Sequence, residues 1–180
     1  RAIEAATGLR EINPQLQIRC TANDRAVGES DVVLLSVPYE GLRPTAAALA
    51  SELAGKIVVS IVAPLEFAGG QMTAVPVPEG SAGELTRDLL PNSHVASAFQ
   101  NLSARDLLRP AQELRGDVAV CADEDTARQK TMELARDMKD LRPIDAGALS
   151  NSRYVEELTA LLVNVNRIYK AHSTVQFLGI

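Results

Sequence analysis

Apolar and polar positions along the chain alternate between two rhythms, short continuous apolar runs and longer stretches with a helical period. Val32-Val-Leu-Leu-Ser-Val37 and Lys56-Ile-Val-Val-Ser-Ile-Val-Ala63 are β-branched and Leu runs of strand length, closed by Pro38 and Pro64. Such runs are expected of strands buried on both faces. Further strands are expected at Gln17–Thr21, His94–Phe99, Asp117–Ala122 and Arg142–Asp145. Residues 1–10 read as a helix ending near Gly8, followed by a turn at Asn13-Pro14. Helices are expected at Asn23–Glu29, Ala46–Leu53 with a stop at Gly55, Ala82–Leu90, and from Asp123-Glu-Asp-Thr126 to about Lys139. A last long helix follows Ser150-Asn-Ser152, either serine serving as cap. Its Val155, Leu158, Leu161, Leu162, Val165 and Ile168 recur at three- and four-residue steps, one face expected to pack inside the domain or across a dimer. Between Glu66 and Gly83 the chain is rich in Gly and Pro and reads as an irregular crossing with one short strand at Met72–Val75.

Strands alternating with helices predict an α/β fold with a doubly wound parallel sheet of Rossmann type and a C-terminal helical segment. In such sheets ligands sit beyond the carboxyl ends of the strands. Attention therefore falls on Ser36-Val-Pro-Tyr39, Val62-Ala-Pro64 and Phe99-Gln-Asn-Leu-Ser103. The eleven glycines never form G-x-G-x-x-G or a P-loop. If Gln17–Thr21 is the third strand and Val32–Val37 the fourth of a 3-2-1-4-5-6 sheet, the two strands between them are absent. That would leave an exposed sheet edge, so the expectation is an N-terminally truncated domain from a chain roughly 30–40 residues longer.

Composition narrows the function classes. The 180 residues carry 18 Lys+Arg against 23 Asp+Glu, a net charge of −5, which argues against general nucleic-acid binding. Aromatic residues are 3% and Trp is absent, so no base-stacking platform is expected. No apolar run approaches the ~20 residues of a membrane span, and no signal peptide is evident, so a soluble cytoplasmic domain is expected. Cys20 and Cys121 lie in strand-like stretches without a second ligand at metal spacing and are expected to be buried, reduced thiols. His94 and His172 are too isolated for a metal site, and no His-Asp-Ser or paired-carboxylate constellation stands out as catalytic.

The C-terminal third carries a long and specific string, Leu141-Arg-Pro-Ile-Asp-Ala-Gly-Ala-Leu-Ser-Asn-Ser-Arg153, running on into Val155-Glu-Glu-Leu-Thr159. It resembles the NADPH-dependent reductases of the deazaflavin coenzyme F420. Three stretches are similar in the same order: Asp31–Tyr39, Lys56–Ser60 and Ala96–Ala104. In that family a Gly-Gly-Thr-Gly phosphate loop and a Gly-Ser-Arg strand end lie just upstream of where this sequence opens. The resemblance implies direct hydride transfer between NADPH and the deazaflavin, with no metal and no covalent intermediate. Such chemistry asks for positioning more than acid–base groups.

The resemblance also implies a division of labour: residues 1–148 as an incomplete NADP-binding domain, and 149–180 as a helix and tail at the deazaflavin site and a dimer contact. Ser36, Pro38, Tyr39 and Arg43 would line the NADP site, and Arg1 would face the 2′-phosphate. Ala104 would lie near the nicotinamide, with Ser173 and Thr174 near the deazaflavin. Gln100 stands at a strand end facing the deazaflavin pocket, where many members have His; Gln can hydrogen-bond but cannot titrate near neutral pH. Two rival readings are a flavin-linked metal reductase, whose membrane spans are missing here, and a non-catalytic dinucleotide-fold assembly module.

Overall fold

A computed structural model describes residues 2–108 and 114–180. The elements run in chain order as α1 (Ala2–Ile12), α2 (Asn23–Gly28), β1 (Val32–Leu35), α3 (Tyr39–Leu53), β2 (Ile57–Ser60), β3 (Leu65–Ala68), β4 (Gln71–Ala74), α4 (Ala82–Leu89), β5 (His94–Ser97), α5 (Ala104–Leu107), β6 (Gly116–Ala122), α6 (Asp125–Arg136), β7 (Leu141–Asp145) and α7 (Ser152–Tyr169). A single 3-10 turn at Leu149–Asn151 leads into α7.

Five strands form the central sheet in the order β1-β2-β5-β6-β7. Because β side chains alternate between faces, neighbouring residues of one strand enter different cores. Val58 packs with Leu42, Leu49, Leu53, Leu85 and Leu90 beneath α3 and α4. Val59, next in β2, joins Val118, Val120, Ala135 and Leu141 beneath α6. Both faces are thus covered, which explains why β2 reads as a continuous apolar run.

The sheet is parallel across β1-β2-β5 and again across β6-β7, but β5 and β6 are antiparallel, Ser97 facing Cys121. The wholly parallel sheet expected from the sequence is corrected at this one junction. An apolar run records burial and not direction, so the reversal left no mark in the pattern.

Four other expectations change. Gln17–Thr21 is not a strand: it is exposed coil, held at Ile18 by the Arg10 guanidinium, with no ladder partner among the described residues. Cys20 is therefore exposed, whereas Cys121 is buried as expected. The Gly/Pro-rich crossing holds an antiparallel hairpin of β3 and β4. Gly69 and Gly70 turn it with φ of 58° and 82°, the two positive values a type I′ turn requires. Helix α3 begins at Tyr39 and carries Pro44 within it.

The fourth change concerns α7. Its fully buried residues are Ser152, Glu156 and Ala160 at four-residue steps, beside which Val155, Leu158, Leu162 and Val165 of the apolar stripe are half-buried. Leu161 and Ile168 are 57% and 73% exposed. The side chain of Asn164 acts as a partner strand for β4, accepting from Met72 N (2.8 Å) and donating to its carbonyl (2.7 Å). The hairpin thereby clasps α7 and one of its edges is covered.

Candidate functional site

The strand ends of β1, β2 and β5 open on one rim, where α7 crosses. Pro38 caps α3 without a side-chain bond, and Tyr39 opens that helix half-buried against the first core. Ser36 and Pro38 are exposed at the same strand end. Arg43, one turn on, reaches across to Glu79, and this hydrogen bond holds the Glu79 carboxyl below its usual range.

Two strands away, roughly 10 Å at ordinary strand spacing, β5 ends in an unusual turn. Phe99 adopts φ 73°, a conformation costly for a bulky residue. It turns Gln100 inward, where the side chain is only 7% exposed. Gln100 Nε2 donates to Ser97 Oγ (2.6 Å) and to the Ser60 carbonyl (3.3 Å). Its Oε1 and the Ser60 hydroxyl have no hydrogen-bond partner among the described residues. Buried acceptors of this kind are normally satisfied, so the end of β5 carries unused hydrogen-bonding capacity.

The loop after Gln100 is bolted to α7. Asn101 Nδ2 donates to the Val155 carbonyl and to Thr159 Oγ1, both at 3.0 Å. Helix α7 is in turn fixed to α4 by Glu156, which is 2% exposed. Its carboxylate accepts from Ala82 N (2.8 Å) and Gly83 N (3.0 Å), the first two amides of α4, which would otherwise lack partners. Burial raises the Glu156 carboxyl to about 7, even though both amide bonds pull the other way. The approach is close enough that a Cβ on Gly83 would lie 2.8 Å from Ser152 Oγ and 3.1 Å from Ser97 Cβ.

The predicted site residues distribute as follows. Ser36, Pro38 and Tyr39 share the end of β1, and Gln100 and Ala104 flank the end of β5. Ser173 is folded back on α7, its N and Oγ both donating to Asn166 Oδ1. Thr174 Oγ1 donates to the Arg115 carbonyl (2.6 Å) beside Gly116. Because β6 runs antiparallel to β5 from a register of Ser97 with Cys121, its first residues extend past the end of β5 and keep Thr174 on the same rim. Arg1 lies outside the described residues.

Glu156, Asn101 and Thr159 lie within the stretches Val155–Thr159 and Phe99–Ser103 that the sequence marked, but their contacts were not assigned there. The signal for the role of Glu156 is the small and polar spacing Ser152, Glu156, Ala160 along α7. Among the described residues no group of three His, Cys, Asp or Glu could hold a metal. Cys121 has its thiol pushed up to about 11 by burial, so it stays protonated and is no nucleophile.

Comparison with known proteins shows the family of the chain. Residues 3–64 match the family model described as NADP oxidoreductase, coenzyme F420-dependent. The F420-dependent NADP reductase of Methanocaldococcus jannaschii is 38% identical over 97% of this chain and 81% of its own. The chain belongs to the F420-dependent NADP reductase family. The matched stretch spans α1 to β2 and contains Ser36, Pro38, Tyr39 and Arg43. A crystal structure from Arthrobacter sp. FB24 superposes with a TM-score of 0.77 at 22% identity, covering 89% of this chain and 74% of that one; it bears on the fold. A metalloreductase, STEAP3 of Rattus norvegicus, is 30% identical over 79% of this chain, which covers 28% of the rat protein. That distance does not favour the metal-reductase reading. Separately, no described helix is long and apolar enough to cross a membrane.

Proposed function

We propose that this protein is an NADP-dependent oxidoreductase that passes a hydride between NADPH and the deazaflavin coenzyme F420. The observation that carries the reading is 38% identity along nearly the whole chain to an F420-dependent NADP reductase. In the forward sense the hydride leaves the nicotinamide and joins the deazaflavin ring, which takes its balancing proton from water, leaving oxidised NADP. No acid, base or nucleophile is required of the protein, in keeping with a rim that offers amides and hydroxyls.

In this reading the exposed backbone at Ser36–Pro38, the Tyr39 ring and Arg43 hold NADP, with the N-terminus of α3 favouring its phosphates; Arg1 faces the 2′-phosphate. Ala104 lies by the nicotinamide. Gln100, with its spare carbonyl oxygen, faces the deazaflavin, and Ser173 and Thr174 close that side of the rim. The tail residues 149–180 complete the site contributed by residues 1–148.

The exposed apolar residues of α7, Leu161, Ile168 and Tyr169, support a homodimer formed through this helix. A cytoplasmic location suits both coenzymes. The test of the chemistry is isotopic: NADPH deuterated at the transferred position should deliver deuterium to the deazaflavin carbon. Deuterium lost to solvent would contradict direct transfer. For assembly, the double substitution Leu161→Glu and Ile168→Glu should halve the mass measured in solution; an unchanged mass would remove α7 from the interface.

A further inference from the structure

Between α5 and the C-terminal half of α7 lies a cavity of about 540 Å³ whose lining includes Arg105, Arg167 and Lys170 and no carboxylate. Elsewhere in this net-negative chain arginines are commonly matched to acids, as in Arg43–Glu79, Arg128–Asp125 and Arg142–Asp117. These three cations have no ion pair among the described residues, and they converge on one concavity. The negative end of the α7 dipole accounts in part for Arg167 and Lys170. It does not account for Arg105, which comes from α5.

The Arg167 guanidinium and the backbone around Lys170 are held in place by the fold. Arg167 Nη1 donates to the Gly70 carbonyl (2.9 Å) and its guanidinium lies 4.6 Å from the centre of the Phe67 ring. The other N–H groups of the fork are left to point elsewhere. Lys170 ends α7 in the left-handed conformation, φ 50°. Beyond it, His172 is tied to the buried Asp106 at 2.7 Å, which fixes the segment that walls the cavity.

The cavity continues the candidate rim. Thr159, which touches the Gln100 carbonyl (3.5 Å) and Asn101, lies on α7 at helical spacing from the lining residues Val163, Asn166 and Lys170. On the other wall Ser103 stands directly before Ala104.

We propose that this cavity binds the anionic tail of the deazaflavin coenzyme, its phosphodiester and glutamate carboxylates, while the ring lies at Gln100; this rests on the functional reading above. Three clustered cations repel one another until an anion enters, and phosphate and carboxylate oxygens match the arginine forks. The phosphates of NADPH share this chemistry, so the test separates the two sources.

Dissociation constants would be measured for the natural full-length protein and for Arg105→Glu and Lys170→Asp, aspartate being tolerated at positive φ. The three probes are NADPH, the tailed deazaflavin coenzyme and the tail-less deazaflavin core. Each charge reversal should weaken the tailed coenzyme by on the order of tenfold, more at low salt. The core and NADPH should stay within about twofold. Equal loss for core and tailed coenzyme, loss for NADPH instead, or no loss would each overturn the tail assignment alone. Failure of the unaltered protein to bind even the core would overturn the functional reading, and the assignment with it.

Discussion

Replacing Glu156 by glutamine removes a buried titration while keeping the shape of the side chain. The wild-type carboxyl titrates at about 7 in the folded protein against an ordinary value of 4.5. A carboxyl whose folded value is raised contributes stability that is whole below the unfolded value and is lost as pH rises through the folded one. With those two values, the wild type should lose roughly 2–3 kcal/mol from this group between about pH 5 and about pH 8. Glutamine does not titrate. It can accept from Ala82 or Gly83 but not from both without turning its own N–H₂ toward one of the amides, so it resembles the protonated acid. Denaturant unfolding of both proteins at the two pH values gives the comparison. The glutamine variant should gain on the wild type by roughly 2–3 kcal/mol across the window. Glu156→Ala, which leaves both amides of α4 without a partner, should be destabilised by about 3 kcal/mol at acid pH. Parallel pH dependences for wild type and the glutamine variant would refute the link between burial of Glu156 and the joint between α4 and α7.

Other substitutions probe the rest of the account. Gln100→Ala should weaken deazaflavin binding about tenfold, one hydrogen bond's worth, and leave NADP affinity nearly unchanged; equal loss for both ligands would contradict its placement. Gly83→Ala puts a methyl 2.8 Å from Ser152 Oγ and should cost about 2 kcal/mol, a fall of about 6 °C in Tm by calorimetry; an unchanged Tm would mean that the crossing relaxes freely. Arg142 bonds both oxygens of Asp117 and the Phe177 carbonyl, and its hydrogen bond holds the Asp117 carboxyl below its usual range. That contribution to stability is present above the ordinary aspartate value and is lost as pH falls. Arg142→Ala should therefore flatten the acid limb of the stability profile and expose the segment 175–180 to proteolysis; an unchanged limb and digestion pattern would count against it.

How much of this was legible in the sequence depends on what each residue's neighbours supply. Strand β2 was readable because burial on both faces writes itself as a continuous apolar run. Strand β1 carries the same kind of run but lies at the sheet edge with Leu34 48% exposed, so its expected burial on both faces is corrected. The attention to Ser36–Tyr39 and Phe99–Ser103 followed from the strand ends. Gln17–Thr21 has strand-like composition but meets no pairing partner among the described residues, and pairing, not propensity, makes a strand. The Gly69-Gly70 turn was a readable hairpin signal, masked by the prolines that follow it. The reversal between β5 and β6 was not readable, since direction is set by how the chain crosses and not by which residues it buries. The α7 stripe is half-buried at Val155, Leu158, Leu162 and Val165 and exposed at Leu161 and Ile168, while the most deeply buried side of the helix is held by a carboxylate bonding to amides. A buried glutamate has no pattern of its own. It becomes visible only when the N-terminus of α4 is seen to need two acceptors.

The central claim is tested most directly by mixing the natural full-length protein with NADPH and oxidised deazaflavin coenzyme and following the visible band of the deazaflavin. Rapid bleaching, one deazaflavin reduced for each NADPH consumed and little turnover when a flavin takes its place, is the predicted result. Tight binding of NADPH with no bleaching would contradict it.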